Sequence, residues 1–303
     1  MRYAYYPGCS LHATGKEYDL STRLVAKDLG VDLWELPDWT CCGSSAAHGT
    51  NAMLALALPA RNLALAEKAG LDMAVPCAAC YARLRNAELA VRKSLDLQEA
   101  IQDIIDMEYQ ATQEVYALLD IMANRVGLDL IKEKVKKPLY GLKVACYYGC
   151  LLVRPPEVGA FDDPEDPQSM DRLMEAIGAE AVPWAYKTEC CGAGHSTTRT
   201  DIALKMLYDI LRNAKLSGAN CLATACPLCM LNLDMRQSAV EQKYGQQFRF
   251  PIFYFTELMG LALGHEPREL GIDKHFVDAM PLLGLIQAEP MVREESARGR
   301  EEE

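Results

Sequence analysis

"WTCCGSSAAH", residues 39–48, sets two cysteines side by side at Cys41 and Cys42, with a glycine and small polar residues behind them. Neighbouring residues of an extended chain project in different directions, so these two thiols are poorly placed to share one metal ion. The stretch returns as "CCGAGH", residues 190–195. Working outward from the first pair, Cys9 lies upstream and Cys77 and Cys80 downstream, in the spacing C-x31-CC-G-x33-C-x2-C. Cys150, Cys190, Cys191, Cys226 and Cys229 repeat it as C-x39-CC-G-x33-C-x2-C. The flanks agree: "YYPGC" (5–9) matches "CYYGC" (146–150), and "VPCAAC" (75–80) matches "TACPLC" (224–229). An identical interval from double cysteine to CxxC, inside matching flanks, marks an internal duplication. Cys146 and Cys221 fall outside the register and are expected as small buried apolar residues.

Each repeat carries a legible alternation. "RYAYYPGC" (2–9) reads as a strand, and Leu20, Leu24, Val25 and Leu29 space a helix over 17–29 that Gly30 stops. "VDLWEL" (31–36) is a second strand, 51–69 a helix ending at Gly70, and "DMAVPC" (72–77) a third strand leading into another helix. The second repeat follows with "KVACYYGC" (143–150), a helix near 168–178, "EAVPWAY" (180–186), a helix near 197–216, "CLATAC" (221–226) and a helix beyond Cys229. The expected fold class is therefore α/β: two duplicated Rossmann-like β-α-β-α-β-α repeats with parallel sheets. All ten motif cysteines then fall at the carboxyl ends of strands, the edge where open α/β sheets bind ligands. Four segments are expected: a first cysteine-rich repeat over 1–94, a helical linker or arm over 95–138, a second repeat over 139–265, and an extension over 266–303. The extension opens after one more strand, "FRFPIFYF" (248–255), and one more helix, "TELMGLALG" (256–264); its charged end, "REESARGREEE" (293–303), is expected to be disordered. "RPPEVGAFDDPEDP" (154–167) reads as a surface loop.

Bulk properties bound the function. The chain has 303 residues, is half hydrophobic, and carries a net charge of −11. With a pI near 5.1 and no run of lysine or arginine, it lacks the basic footprint that nucleic-acid binding requires. No apolar stretch approaches the roughly 20 residues of a spanning helix, and the N-terminus lacks the regions of a signal peptide. No nucleic acid and no membrane insertion are expected, and the cytoplasm is the default compartment. There, twelve cysteines are poor candidates for structural disulfides and good ones for metal or redox chemistry.

Five thiols per repeat exceed what a tetrahedral zinc or a four-cysteine cluster uses. Adjacent cysteines reach different irons of one polynuclear cluster more easily than they share an ion, and soft thiolates select iron-sulfur clusters or zinc over hard cations. Gly43 and Gly192 suit a close backbone approach to inorganic sulfide. Ser44 and Ser45, like Ser196, Thr197 and Thr198, are placed to cap helices whose positive ends face an anionic cluster. Two zinc sites would leave one thiol spare in each repeat, and a thioredoxin-like dithiol explains a CxxC but neither double cysteine. Zinc in one site stays open, because the upstream interval is longer in the second repeat.

The doubled set of CCG, CxxC and upstream cysteine resembles the cysteine-rich CCG domain family, and within it the B subunits of heterodisulfide reductases, over nearly all of the chain to about residue 265. The resemblance implies two noncubane [4Fe-4S] clusters, one held by Cys9, Cys41, Cys42, Cys77 and Cys80, the other by Cys150, Cys190, Cys191, Cys226 and Cys229. It further implies that the clusters face each other across a cleft and that a disulfide bound between them, such as the CoM-S-S-CoB heterodisulfide or a relative of it, is split to two thiols, each sulfur captured by an iron. Electrons would arrive from a ferredoxin-like C-type subunit, itself fed by a flavin-containing A-type subunit. Two one-electron centres either side of a two-electron bond give the duplication a purpose. The departing thiolates need protons, and His48 and His195 follow the double cysteines at comparable positions; they are candidate proton donors, although a histidine at a strand end is commonly a hydrogen-bonded structural residue. Trp39 and Trp184 are expected to shield the clusters or fill the core, and Tyr5, Tyr6, Tyr147 and Tyr148 to pack on strands or line the cleft. The competing reading is an electron-transfer member of a bacterial heterodisulfide reductase-like complex, for sulfur oxidation or electron bifurcation, that relays charge and cleaves nothing.

Overall fold

Alternating apolar runs and amphipathic helices leave the strands only one way to bury both faces, as parallel sheets covered by the helices that connect them. The computed structural model describes residues 1–286, so the charged end at 293–303 lies outside the described residues. In the first half, β1 (Arg2–Tyr5), β2 (Asp32–Glu35), β3 (Met73–Val75) and β4 (Val115–Ala117) form one all-parallel sheet in the order β2-β1-β3-β4. In the second, β5 (Lys143–Tyr147), β6 (Glu180–Ala181), β7 (Cys221–Thr224) and β8 (Ile252–Tyr254) repeat that order as β6-β5-β7-β8. The chain leaves β1 toward one edge and returns to the other side of β1 as β3. This reversal opens the crevice at which such sheets bind ligands.

Three expectations are corrected. The segment 95–138 is not helical throughout. It opens with a helix, Leu95–Ile105, and then supplies β4, whose Val115, Tyr116 and Ala117 pair with Met73, Ala74 and Val75. The chain beyond β4 is helical over Leu118–Gly127 and again over Leu128–Lys134, with a break at Gly127 (φ 90°), and packs on the helix Ser169–Ala176 that opens the second half. Reciprocally, the helix Phe255–Ala262 that closes the second half packs on Lys16–Asp28, the long helix after β1. Each half thus lends its last helix to the other.

The second correction concerns Lys16–Asp28. Its buried face is Tyr18, Ser21, Thr22, Val25 and Ala26, whereas Leu20 is 49% exposed. Small hydroxyl residues let the two helices approach, and the Ser21 and Thr256 hydroxyls are 2.7 Å apart across the contact. The third is the capping serines. Gly43, in the left-handed region at φ 82°, precedes the short helix Ser44–Thr50, and Gly192, at φ 75°, precedes the turn Ala193–His195; neither element has a side-chain cap. Cys146 and Cys221 are fully buried on the central strands β5 and β7, as expected.

Candidate metal centres at the strand ends

All ten motif cysteines lie beyond the carboxyl ends of strands. Cys9 sits in the turn Gly8–Leu11 after β1, and Cys41 and Cys42 follow β2. Cys77 is the residue on which the helix Ala78–Lys93 starts, with Cys80 in its first turn. Cys226 holds the same place before the helix Pro227–Met235, with Cys229 in its first turn. A CxxC here is a strand end joined to a helix start, so its thiols meet the partial positive charge of the helix N-terminus.

The double-cysteine loops are tied down in the same way in both halves. The Tyr6 hydroxyl donates to the Thr40 carbonyl at 2.7 Å, and the Tyr147 hydroxyl to the Glu189 carbonyl at 2.6 Å. Each carbonyl belongs to the residue just before a cysteine pair. Buried Asn62 exchanges hydrogen bonds with the backbone of Thr40, and Asn232 donates to the Cys191 carbonyl at 2.7 Å. Trp39 packs edge-on against Tyr6, and Trp184 donates its indole N–H to the Cys146 carbonyl at 3.0 Å. Tyr5 and Tyr148 bond Asp19 and Asp171 at 2.8 and 2.7 Å. The tyrosines are therefore strand-packed anchors, and Tyr148 also lines the cavity described below.

The thiols approach in matched pairs. Cys42 and Cys80 are 3.4 Å apart at Sγ, as are Cys191 and Cys229. The contact with Cys80 holds the Cys42 thiol down to about 7, and the contact with Cys150 holds Cys190 down to about 6. Cys226 is held well below the ordinary thiol range, first by the Cys229 and Cys77 thiols and further by the opening N–H groups of its helix. Cys77 is correspondingly raised, its Cys226 neighbour being the largest cause. Cys77 and Cys226 are thus where the two sets meet. Directly behind them the buried Tyr18 hydroxyl donates to the Pro76 carbonyl at 3.2 Å and the Ala225 carbonyl at 3.4 Å, joining the residue before each of these cysteines.

Beside this junction lies a cavity of about 230 Å³. All five second-half thiols line it, together with Tyr148, Leu151 and Leu228, while the first half contributes Ser44, Ala78, Ala79 and Arg83. Its lining includes no carboxylate and no imidazole. That donor chemistry, five soft thiols without a hard ligand, fits an iron-sulfur group. Among the described residues no three His, Cys, Asp or Glu side chains close round a single-ion position.

The remaining expected residues fall nearby. Built onto Gly43, a Cβ would meet Ala47 at 2.6 Å and Leu58 at 3.0 Å; on Gly192 it would meet Ala203 at 3.0 Å and Met206 at 3.1 Å. The space these glycines leave is filled by the following helices, and the Gly192 N–H also lies 3.4 Å from the Cys190 sulfur. His48 and His195 are both exposed and line no part of the cavity, although the His195 side chain helps to lower Cys190. Two glycines escape a reading of motifs alone. Gly8 and Gly149 take φ of +69° and +67°, and a Cβ on them would lie 3.1 Å from the Cys80 sulfur and 3.3 Å from the Cys229 sulfur. The signal is present in "PGC" and "YGC", a glycine before the first cysteine of each set.

The chain matches the CCG family, described as a cysteine-rich domain, over residues 3–85 and 144–234. It belongs to that family. Among its relatives is the 8-methylmenaquinol:fumarate reductase membrane anchor subunit of Wolinella succinogenes, 36% identical over 92% of this chain and 98% of that protein. The CCG chain is also 32% identical to two heterodisulfide reductase B subunits. One is the ferredoxin/F420H2-dependent CoB-CoM enzyme's subunit from Methanosarcina acetivorans, over 93% of this chain and 95% of the relative; the other is the ferredoxin:CoB-CoM enzyme's from Methanosarcina mazei, over 92% and 95%. A hypothetical protein from Helicobacter pylori shares the fold at a TM-score of 0.72 and 15% identity, over 91% of this chain and 52% of that one. Among the described residues no helix is long and apolar enough to cross a membrane.

Proposed function

We propose that this CCG chain is the disulfide-reducing B-type subunit of a cytoplasmic heterodisulfide reductase-like complex, receiving electrons from a ferredoxin-like C-type subunit supplied by a flavin-containing A-type subunit. The observation that carries the reading is the cavity: it brings five second-half thiols and the helix start of the first half to one partly open space. Cys9, Cys41, Cys42, Cys77 and Cys80 would hold one noncubane [4Fe-4S] cluster, and Cys150, Cys190, Cys191, Cys226 and Cys229 the other. When bound, these groups would supply electrons one at a time. The net reaction takes a disulfide, two electrons and two protons to two thiols.

The protein's own residues do the rest. Leu151, Leu228, Ala78 and Ala79 make the cavity wall apolar and keep water from the reacting sulfurs. Tyr6, Tyr147 and Asn232 fix the cysteine loops, so the donor sets are preorganised. His195, beside Cys190, is the proposed proton carrier to a departing thiolate; His48 is the proposed counterpart on the first half.

A second reading has its own support. The fumarate reductase relative, 36% identical over nearly its whole length, fits a protein that relays electrons and cleaves nothing. Protein purified without oxygen and reduced with titanium(III) citrate separates the two. Stoichiometric release of two thiols per disulfide supports the reductase. Reoxidation only by a partner protein or a quinone, with every disulfide offered left intact, would leave the relay.

A further inference from the structure

The two repeats differ most between their first cysteine and the long helix that follows it. That helix starts seven residues after Cys9, at Lys16, but nineteen after Cys150, at Ser169. The longer stretch is a folded strap. Its root, Leu151, lines the cavity, and Leu152 and Val153 are buried. Gly159 lies so close on the Val153 backbone that a Cβ there would meet it at 2.5 Å. Arg154 donates to the Pro164 carbonyl at 3.1 Å and to the Thr188 hydroxyl at 2.9 Å. The buried Lys187 ammonium donates to Asp166 at 3.1 Å and to the Pro167 carbonyl at 3.0 Å. Thr188 and Lys187 stand just before Cys190, so both ends of the strap are bound to the double-cysteine loop.

Its apex crosses to the other half. Val158 is 3% exposed, and its carbonyl accepts the Tyr81 hydroxyl at 2.9 Å; the Tyr81 ring also meets Phe161 edge-on at 6.3 Å. Tyr81 follows Cys80 on the helix Ala78–Lys93, whose Ala78 and Ala79 are the first-half wall of the cavity. The latch therefore ties that wall to the strap rooted at Leu151. At the place of Tyr81 the second repeat has Met230, which has no hydroxyl to offer. A hydrogen bond and a ring edge are a slender hold, and segments held by few contacts open first.

We propose that Tyr81 is a positioning residue that latches this strap across the two halves, and that the latched strap selects slim disulfides over bulky ones. A slim disulfide passes while the strap is closed; a bulky one enters only when the apex leaves Tyr81. The selection rests on the cavity being the disulfide site, whereas the latch itself is a contact between the strap and the first half.

The test uses the whole chain with its iron loaded, as wild type, Tyr81→Phe and Phe161→Ala. Amide hydrogen exchange is followed by mass spectrometry over 154–168, with β5 as the internal reference. Apparent kcat/KM is followed with two neutral disulfides, the slim 2-hydroxyethyl disulfide and the bulky disulfide of 1-thio-β-D-glucose. Tyr81→Phe keeps the ring and removes the hydroxyl. Exchange in the strap should quicken about three- to tenfold, the worth of one neutral hydrogen bond, and kcat/KM should rise by a similar factor for the bulky disulfide alone. Unchanged exchange, or kcat/KM altered equally for both disulfides, would overturn the proposal and leave Tyr81 a packing residue. Should Tyr81→Phe lose its iron, Phe161→Ala decides, since it spares the hydroxyl and removes the ring edge: the same two changes at smaller size support the latch, and the absence of either overturns it. No turnover of either disulfide in any variant would sink the reductase reading, and exchange in the strap would then decide the latch alone.

Discussion

Gly149 stands one residue ahead of Cys150 in a left-handed conformation, and any Cβ there would press on the Cys229 sulfur at 3.3 Å. Gly149→Ala should therefore cost about 1–2 kcal/mol for the conformation alone and displace a thiol besides. The expected outcome is a lower unfolding temperature together with a fall in bound iron; full iron at unchanged stability would contradict it. The cysteines themselves are legible in the sequence because a thiol at a strand end has few structural uses and the spacing repeats. Gly8 and Gly149 are less so, since a positive φ leaves no mark on composition. At this scale a single ligand change also separates the sets. Cys190→Ser should remove about half of the iron, since its four partners lie in the same half and a polynuclear group fails when one ligand is lost; loss of all the iron would mean one shared centre.

At the scale of elements, the strands and most helices follow from periodicity, because parallel strands buried on both faces read as short apolar runs between amphipathic stretches. The exception is β4. "VYALLD" (115–120) sits within a long charged stretch, and three residues are too few to show a period; only its counterpart β8, plainly apolar as "IFYF", makes it recognisable by duplication. Helix contacts also escape apolar spacing where hydroxyls replace leucines, as at Ser21 and Thr22. The Tyr18 ring stacks on Tyr254 at 4.1 Å, and its hydroxyl joins the two cysteine-bearing turns. Tyr18→Phe keeps the stack and strands two carbonyls, so urea unfolding should show a loss of about 1–3 kcal/mol; an unchanged midpoint would deny the bridge any role. A second buried group supports the same region. Burial by itself would lower His275, but Glu257, 2.9 Å away, more than offsets this and raises it. The unfolded imidazole titrates near 6.5. Between that value and the higher folded one the native state holds the extra proton, so this contribution is complete below about 6.5 and is lost as pH rises through the folded value. Glu257→Gln should cost about 3–5 kcal/mol, the effect of breaking a buried pair, and flatten that pH dependence in thermal melts.

On the scale of the whole molecule, duplication explains the architecture. Two sheets of identical strand order each close the other with their last helix, which brings both switch-point crevices, and with them Cys77 and Cys226, to a single junction. Neither half alone would bury the face of its first helix, so the two sets of thiols are held together by the same contacts that hold the fold. The repeat is readable from spacing; the reciprocal exchange of helices is not, because it is a property of how two copies pack and no local pattern encodes it. Each set of five thiols is proposed to hold one polynuclear iron-sulfur group. Iron, zinc and acid-labile sulfide determined on protein purified without oxygen, with the paramagnetic spectrum recorded after oxidation in the presence and absence of a thiol, test it most directly. The expected result is about eight irons and eight sulfides per chain with a thiol-dependent signal; about two zinc ions per chain without sulfide would contradict it.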